Sequence, residues 1–301
     1  MTVTNVNFVA PQLPTPPKGY DQQSFEQFNN VLRIYFNQLD DALRNDMTVP
    51  YNQRVAQGDV PGAELVFKFG HNAEVGSSEE TIWSEGGLYS YLPSATQLTV
   101  SSSDANDTSA GGGGSGARTI QIYGQDANYN EINEVISLTG QTPVTTTLSY
   151  LRIYRGIVLT AGSGAKNAGI IRAGTGTVSS GVPANVYMSI DGFGDNQSQM
   201  LIWTVPAGYT GYLYQTNIST GNSSNTPAIL RTTLVARPFG GVFNVKERIT
   251  LSDGNQLQNY DFPLVFTEKT DLEFRATSSS GSVDFDVSAS VQILYIANST
   301  V

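Results

Sequence analysis

Residues 282–296 read SVDFDVSASVQILYI and indicate the fold class. Apolar Val283, Phe285 and Val287 alternate with polar residues along the first half of this stretch. Successive side chains of a β-strand point to opposite faces, so a two-residue period predicts a strand with one buried face. Ile120 and Ile122 repeat the pattern in the first half of the chain. We therefore expect a mainly β protein.

Working outward from this stretch, the sequence predicts short strands separated by Gly, Asn and Ser turns. Such a series is typical of β-sandwich or jelly-roll-like domains, and we place two of them at residues 60–175 and 182–301. The sequence GTGTVSSG at residues 174–181 is predicted to be the flexible linker between them. The predicted strands are residues 64–69, 97–101, 118–123, 133–138, 150–160, 185–190, 200–205, 211–217, 229–236, 242–251, 271–276 and 282–296.

The N-terminal region has a different pattern. Residues 24–46 carry apolar side chains at alternating spacings of three and four, which predicts a single amphipathic helix. Ser24 is the predicted N-cap, and Gln27 completes a capping box. The predicted anchoring and oligomerisation residues are Phe25, Phe28, Leu32, Tyr35, Phe36, Leu39 and Leu43.

The helix stands between an arm and a linker. Residues 1–23 include Pro11, Pro14, Pro16 and Pro17, which favour an extended arm. Residues 46–62 are predicted to be a linker. The apolar stripe of the helix packs either on the β domains of the same chain or on other subunits. Its isolation beside an otherwise β chain favours the second alternative.

Composition excludes several classes of function. The net charge is −10 and no Lys/Arg run occurs, which disfavours nucleic acid as a partner. The absence of cysteine removes disulfides, thiol nucleophiles and Cys-based zinc sites. The first 20 residues lack the pattern of a signal peptide, and no segment has the apolar length that membrane insertion requires.

Candidate chemistry is sparse. His71 is the one histidine and is predicted to lie in a surface loop. Acidic loops with Asp104, Asp107, Asp126 and Glu131 suit either calcium or ordinary Asx turns, and the turns are the simpler interpretation. Paired carboxylates of a glycosidase type stay open as an alternative. We expect a protein that is not an enzyme, with no catalytic residue, no metal site and no cofactor.

The N-terminal residues also carry a family resemblance. Pro14 and Pro17, the Tyr20–Asp21 pair and the sequence YFNQLD at residues 35–40 resemble the N-terminal segment of virion structural proteins of marine and freshwater podovirus-like bacteriophages. Residues 81–131, from TIWSEGG to QDANYNE, are similar to β modules of phage head- or tail-associated proteins. Together the two similarities cover residues 10–175.

The resemblance implies an assembly role in the virion, after synthesis in the host bacterial cytoplasm. The arm and helix would attach the protein to the particle, as a homo-oligomer for which a homotrimer is favoured, and the β domains would project. The expected partners are further copies and other virion proteins of tail or capsid, with host surface glycan as an additional candidate. A tail-associated fibre or adaptor is the first interpretation. Capsid decoration is the alternative, followed by a glycan-binding module or polysaccharide depolymerase.

Overall fold

The computed structural model describes residues 19, 21–222, 224 and 226–298, without the side chains of residues 41–48. Most of the predicted arm therefore lies outside the described residues. The chain divides into two compact units, residues 1–65 and residues 66–301. Among the helices that the structure describes, none has the length and hydropathy of a membrane span. The prediction of a mainly β chain with a helix near its N-terminus is confirmed.

The first unit contains two helices, α1 (Gln22–Thr48) and α2 (Tyr51–Ala56). The predicted N-cap was wrong, because the carboxylate of Asp21 accepts the backbone N–H groups of Gln23 and Ser24. An anionic cap is also favoured by the helix dipole. The hydroxyl of Ser24 donates to Asp21 Oδ2 at 2.6 Å instead of capping the helix itself. The predicted amphipathic helix corresponds to α1, and the six-residue helix α2 lies within the predicted linker.

The strands make up most of the second unit, and the boundary between the units falls within the first strand. The described strands are β1 (Ala63–Val75), β2 (Glu80–Thr81), β3 (Thr99–Ser102), β4 (Ala117–Gln125), β5 (Glu131–Ser137), β6 (Val144–Thr145), β7 (Arg152–Ala161), β8 (Ile171–Ser179), β9 (Val182–Ile190), β10 (Ile202–Thr204), β11 (Tyr209–Gly221), β12 (Leu230–Arg237), β13 (Asn244–Leu251), β14 (Gly254–Phe266), β15 (Asp271–Ser278) and β16 (Phe285–Ala297).

The strands form four small sheets. Sheet A has the order β1-β16-β11-β14, and sheet B has the order β10-β15-β12-β13 with β2 on β15. Sheet C has the order β6-β3-β8-β9, and sheet D has the order β5-β4-β7. Every pair whose register is described is antiparallel. Among these pairs, β4–β5, β8–β9 and β12–β13 join successive strands, and the others join strands that are distant in sequence.

Two hydrophobic clusters fill the second unit. The AB cluster takes its side chains mainly from sheets A and B, with Phe285 and Leu234 among its most buried members. The CD cluster takes its side chains mainly from sheets C and D, with Ile120 and Tyr150 among its most buried members. The division into two β-sandwich or jelly-roll domains at residues 60–175 and 182–301 stays a prediction.

The predicted linker at residues 174–181 was wrong. Residues 171–179 form β8, which turns at Ser180 and Gly181 and pairs with β9. Both turn residues have positive φ, 48° and 76°, as a type I′ hairpin turn requires. Gly181 also approaches the carbonyl of Ser102 so closely that an added Cβ would lie 1.8 Å from that oxygen. The glycines of this segment therefore serve strand packing and a tight turn.

The glycine-rich loop at residues 104–116 is fixed by a buried carboxylate. Asp107 accepts the Ser102 hydroxyl at 2.6 Å and three backbone N–H groups. These N–H groups belong to Ala117, Ala168 and Gly169 and lie 2.7, 2.8 and 2.9 Å away. Since a buried carboxylate must have its hydrogen bonds satisfied, Asp107 ties this loop to the chain before β8.

Replacing Asp107 with Ala should lower the free energy of unfolding by about 3 kcal/mol or more, because the buried N–H groups of Ala117 and Gly169 lose their acceptor at about 1–3 kcal/mol each and the part-buried one of Ala168 loses it as well. Urea denaturation measures the loss. Asp126→Ala is the matched control, since Asp126 caps a more accessible turn through the N–H groups of Asn128 and Asn130. We expect about 1 kcal/mol there. Equal losses in both variants would contradict the special role of Asp107.

Candidate functional site

The structure places the predicted anchoring residues on one stripe of α1. Phe28, Leu32, Tyr35 and Leu39 are half-buried along its centre. The side chain of Leu43 lies outside the described residues. Sequence reasoning omitted Val31, which is half-buried on the same stripe at the spacing of three and four residues that defines it.

Two phenylalanines of the stripe are exposed. Phe25 is 56% exposed and Phe36 is 59% exposed. Both lie on the same flank of the helix, because eleven residues correspond to about three turns. The rings of Tyr35 and Phe36 meet edge to face, with 5.8 Å between their centroids. An aromatic flank of this kind is typical of a surface that contacts another protein.

The second feature is a buried ionic network that sequence reasoning missed. Its centre is Asp271, the first residue of β15, which is 2% exposed. Arg152 of β7 donates Nε to Oδ1 at 2.8 Å and Nη2 to Oδ2 at 3.1 Å. Arg237 of β12 donates Nε and Nη2 to Oδ2 at 3.0 and 2.5 Å. The hydroxyl of Thr204 donates to Oδ1 at 2.7 Å, so both carboxylate oxygens are fully used.

A second buried carboxylate continues the network along β15. Glu273 accepts Arg275 Nε at 3.0 Å and Nη2 at 3.2 Å. It also accepts the hydroxyl of Thr81 at 2.5 Å. Arg275 reaches outward to Glu79 Oε2 at 2.9 Å. The network therefore pairs three arginines with two buried carboxylates, Asp271 and Glu273, and with the exposed Glu79.

Aromatic rings cover the guanidinium groups of this network. The ring centroid of Tyr91 lies 5.0 Å from Arg152 Cζ and 4.6 Å from Arg237 Cζ. Phe243 lies 4.6 Å from Arg237 Cζ and 4.9 Å from that of Arg275. Burial raises the pKa of Tyr91 well above its ordinary value, and Glu273 and Asp271 raise it further. The rings exclude water and add cation–π attraction.

The chemistry of the network is structural. Arginine guanidinium groups stay protonated near neutral pH, and every carboxylate oxygen at Asp271 and Glu273 already accepts a hydrogen bond. Asp271 lies in sheet B and Arg152 lies in sheet D, so their bidentate pair joins the two halves of the second unit. The geometry fixes the position of β7 against β15.

Lys68 is a buried titratable side chain that lies outside this ionic network. It lies on β1, is 6% exposed, and lines a small cavity together with apolar side chains that include Leu201, Leu213 and Phe274. Its Nζ donates to the carbonyl of Tyr154, and the ring of that tyrosine lies 5.6 Å away. Burial, with a smaller contribution from Arg155, lowers the pKa of Lys68 to about 7.

The other polar candidates take part in local structure. His71 lies on β1 rather than in a loop, and its Nε2 contacts Asp286 Oδ1 at 2.9 Å. Asp104 and Asp126 accept N–H groups within their own turns, as Asx turns do. Glu131 accepts the hydroxyls of two tyrosines. Within the described ranges, no group of three or more His, Asp or Glu side chains is arranged to hold a metal ion.

Comparisons with known proteins give little more. No protein-family model and no curated protein matches the sequence. The VP2 subviral particle of infectious bursal disease virus aligns at 11% identity over 79% of this chain and 77% of that chain, with a TM-score of 0.21. The Gx strain structure of the same virus aligns at 10% identity over 82% and 76%, also with a TM-score of 0.21. Similarity this low carries no argument about function.

Replacing Asp271 with Ala should lower the free energy of unfolding by about 3–5 kcal/mol, because Arg152 loses its bidentate acceptor while it stays buried. The control is Glu79→Ala, which breaks a partly exposed ion pair with Arg275 and should cost at most about 1 kcal/mol. Urea denaturation of both variants measures the difference. A loss below about 1 kcal/mol for Asp271→Ala would refute the central role of this carboxylate.

Stability should rise with pH between about 7 and 10, because the amine of Lys68 is neutral in the fold above its pKa of about 7 and binds a proton on unfolding until about pH 10.4. The slope is up to about 1.4 kcal/mol per pH unit. Above about pH 10 it reverses, since Tyr89 and Tyr91 have raised pKa values and ionise on unfolding. Urea titrations at each pH measure the profile.

The control for this profile is Lys68→Met, which keeps the length of the side chain and removes its charge. This variant should lose the slope between pH 7 and 10 and keep the decline above pH 10. A wild-type slope that persists in Lys68→Met would assign the effect to another group.

Proposed function

We propose that this chain is a non-enzymatic structural protein of a bacteriophage virion, attached through its N-terminal arm and α1. The single observation that carries the proposal is the exposed aromatic flank of α1. Burying one phenylalanine side chain contributes about 1.5–3 kcal/mol, so Phe25 and Phe36 favour association with a partner. The proposed partners are other copies of the chain, with a homotrimer favoured, and neighbouring virion proteins.

The composition of the second unit supports an outward, structural role. Asp271 and Glu273 are paired with Arg152, Arg237 and Arg275, and this geometry fixes strands rather than presenting groups to a substrate. We interpret the AB and CD clusters as the cores of two β-sandwich or jelly-roll-like domains that project from the attachment site. The resemblance of residues 10–175 to podovirus-like virion proteins gives the proposal its phage context.

Within this role, a tail-associated fibre or adaptor is the first candidate, because such proteins need an attachment segment followed by β domains that project from the particle. Capsid decoration is the alternative. Quantitative mass spectrometry of purified particles separates the two through the copy number relative to the major capsid protein. A small number set by tail symmetry supports the tail. A number near that of the capsid protein supports decoration, and absence from particles would refute both and favour a glycan-binding module or depolymerase.

The double variant Leu32→Asp with Phe36→Asp should convert the oligomer into monomers, because two carboxylates would have to be buried in the helix interface. Multi-angle light scattering gives the molar mass. The matched control is Asn30→Asp with Asn37→Asp, which adds the same charges to the exposed polar face of α1. Oligomers that persist in the first variant, or dissociate in both, would remove α1 from the proposed interface.

A further inference from the structure

Strand β14 forms an open edge of sheet A. It pairs with β11 on one side, and among the described residues no strand pairs with its other side. Residues 254–259 pair in regular register with residues 215–220 of β11. The register then breaks opposite Tyr214, where residues 260–263 bulge. The regular open edge is therefore six residues long.

The backbone of this edge already accepts substitute hydrogen bonds. Gln256 Nε2 donates to the carbonyl of Leu257 at 3.2 Å, and Gln258 Nε2 donates to the carbonyl of Asn259 at 3.1 Å. Alternate residues of a strand direct their N–H and C=O groups to the same side, so Asn255, Leu257 and Asn259 direct theirs away from β11. The side chains of Gln256 and Gln258 therefore bond to two carbonyl groups that could accept hydrogen bonds from an added strand.

Other described edge strands carry the features that prevent pairing. Charged side chains, proline and bulges protect natural edges. Strand β13 has Lys246, Glu247 and Arg248 at its centre, and β5 has Glu131 and Glu134. Strand β9 contains Pro183, and β1 carries Lys68, His71 and two glutamates. Strand β14 carries Asp261, Pro263 and a bulge beyond residue 259, but its first six residues, GNQLQN at 254–259, contain neither a charge nor a proline.

A segment of the same chain fits this edge. Residues 2–9 read TVTNVNFV, which are uncharged and rich in β-branched and aromatic residues that favour strands. Eight extended residues span about 26 Å, which exceeds the length of the six-residue edge. Pro11 lies just after this segment and has no backbone N–H to donate, so strand pairing is expected to end before it. Neither residues 2–9 nor residues 254–259 contain a charged side chain, so no repulsion between like charges opposes their contact.

We propose that residues 2–9 of a second copy add as a strand to the open edge of β14, along residues 254–259. The proposal rests on the assembly role proposed above and names the surface that receives the arm. Main-chain hydrogen bonds supply the attraction, as in other strand additions. Phe262, which is 89% exposed at the adjoining bulge, gives Phe8 or Val9 an apolar neighbour.

Disulfide trapping in the full-length protein tests the contact, because the chain has no cysteine of its own. Leu257→Cys is combined in turn with Val3→Cys, Asn5→Cys and Asn7→Cys to sample the register. After oxidation, non-reducing gels and intact mass should show covalent oligomers. Cross-linking should be at least about tenfold faster than in the control, because docking raises the effective thiol concentration. The control is the double variant Asn5→Cys with Thr250→Cys, in which the second cysteine lies on the charged edge strand β13.

The other outcomes are separable. Molar mass is measured on the reduced proteins before oxidation. An oligomer that forms no faster cross-link than the control in any register overturns the β14 contact and leaves the assembly role standing. A disulfide within one copy overturns the choice of a second copy as the occupant. A reduced protein that is monomeric overturns the assembly role together with this proposal.

Discussion

The carboxylate of Asp271 sets the arrangement of the second unit. A buried carboxylate costs several kcal/mol of lost hydration, and it is tolerated only where partners use both of its oxygens. Those partners come from three different strands, because Arg152, Arg237 and Thr204 lie on β7, β12 and β10. The ends of these strands must therefore meet at one point. Any displacement of sheet D from sheet B would leave charges buried and unpaired.

This constraint explains why two hydrophobic clusters belong to one compact unit. Along β15, Leu272, Phe274 and Ala276 enter the AB cluster. The alternate residues, from Asp271 to Arg275, form the ionic network on the other face of the same strand. The first part of β15 is thus buried on both faces, one apolar and one charged. Apolar packing alone permits many orientations of two β layers, whereas bidentate arginine pairs permit few.

The same strand shows why much of the candidate site could not be predicted from sequence. A period of two with charged alternate residues is typical of a strand with one solvated face. Residues 271–276 alone do not show whether their charged side chains face solvent or pair with Arg152, which is distant in sequence. The stripe of α1 was predictable, because its period depends on local spacing alone. Lys68 was missed for the reason that hid Asp271, since its burial depends on strands far along the chain.

The strand predictions were wrong where the side chains show no clear alternation of apolar and polar residues. Residues 254–266 were not predicted because the first six of them, GNQLQN, are amide-rich and show no alternation of apolar and polar side chains. Residues 174–179 of β8 were assigned to a linker because their glycines are typical of a flexible segment. In both strands the buried apolar residues lie near one end, such as Ile171 in β8 and Phe266 in β14, and the polar or glycine-rich remainder gives no local strand signal.

The distribution of charge connects the internal network with the proposed assembly surfaces. The chain has 16 basic residues, and Arg152, Arg172, Arg237 and Arg275 pair with carboxylates of the same chain. The two exposed phenylalanines of α1 and the GNQLQN edge of β14 are uncharged. Contacts between uncharged surfaces depend little on ionic strength, unlike contacts made by exposed ion pairs. A chain with net charge −10 can then associate with its own copies, because the attraction does not have to overcome like charges at the point of contact.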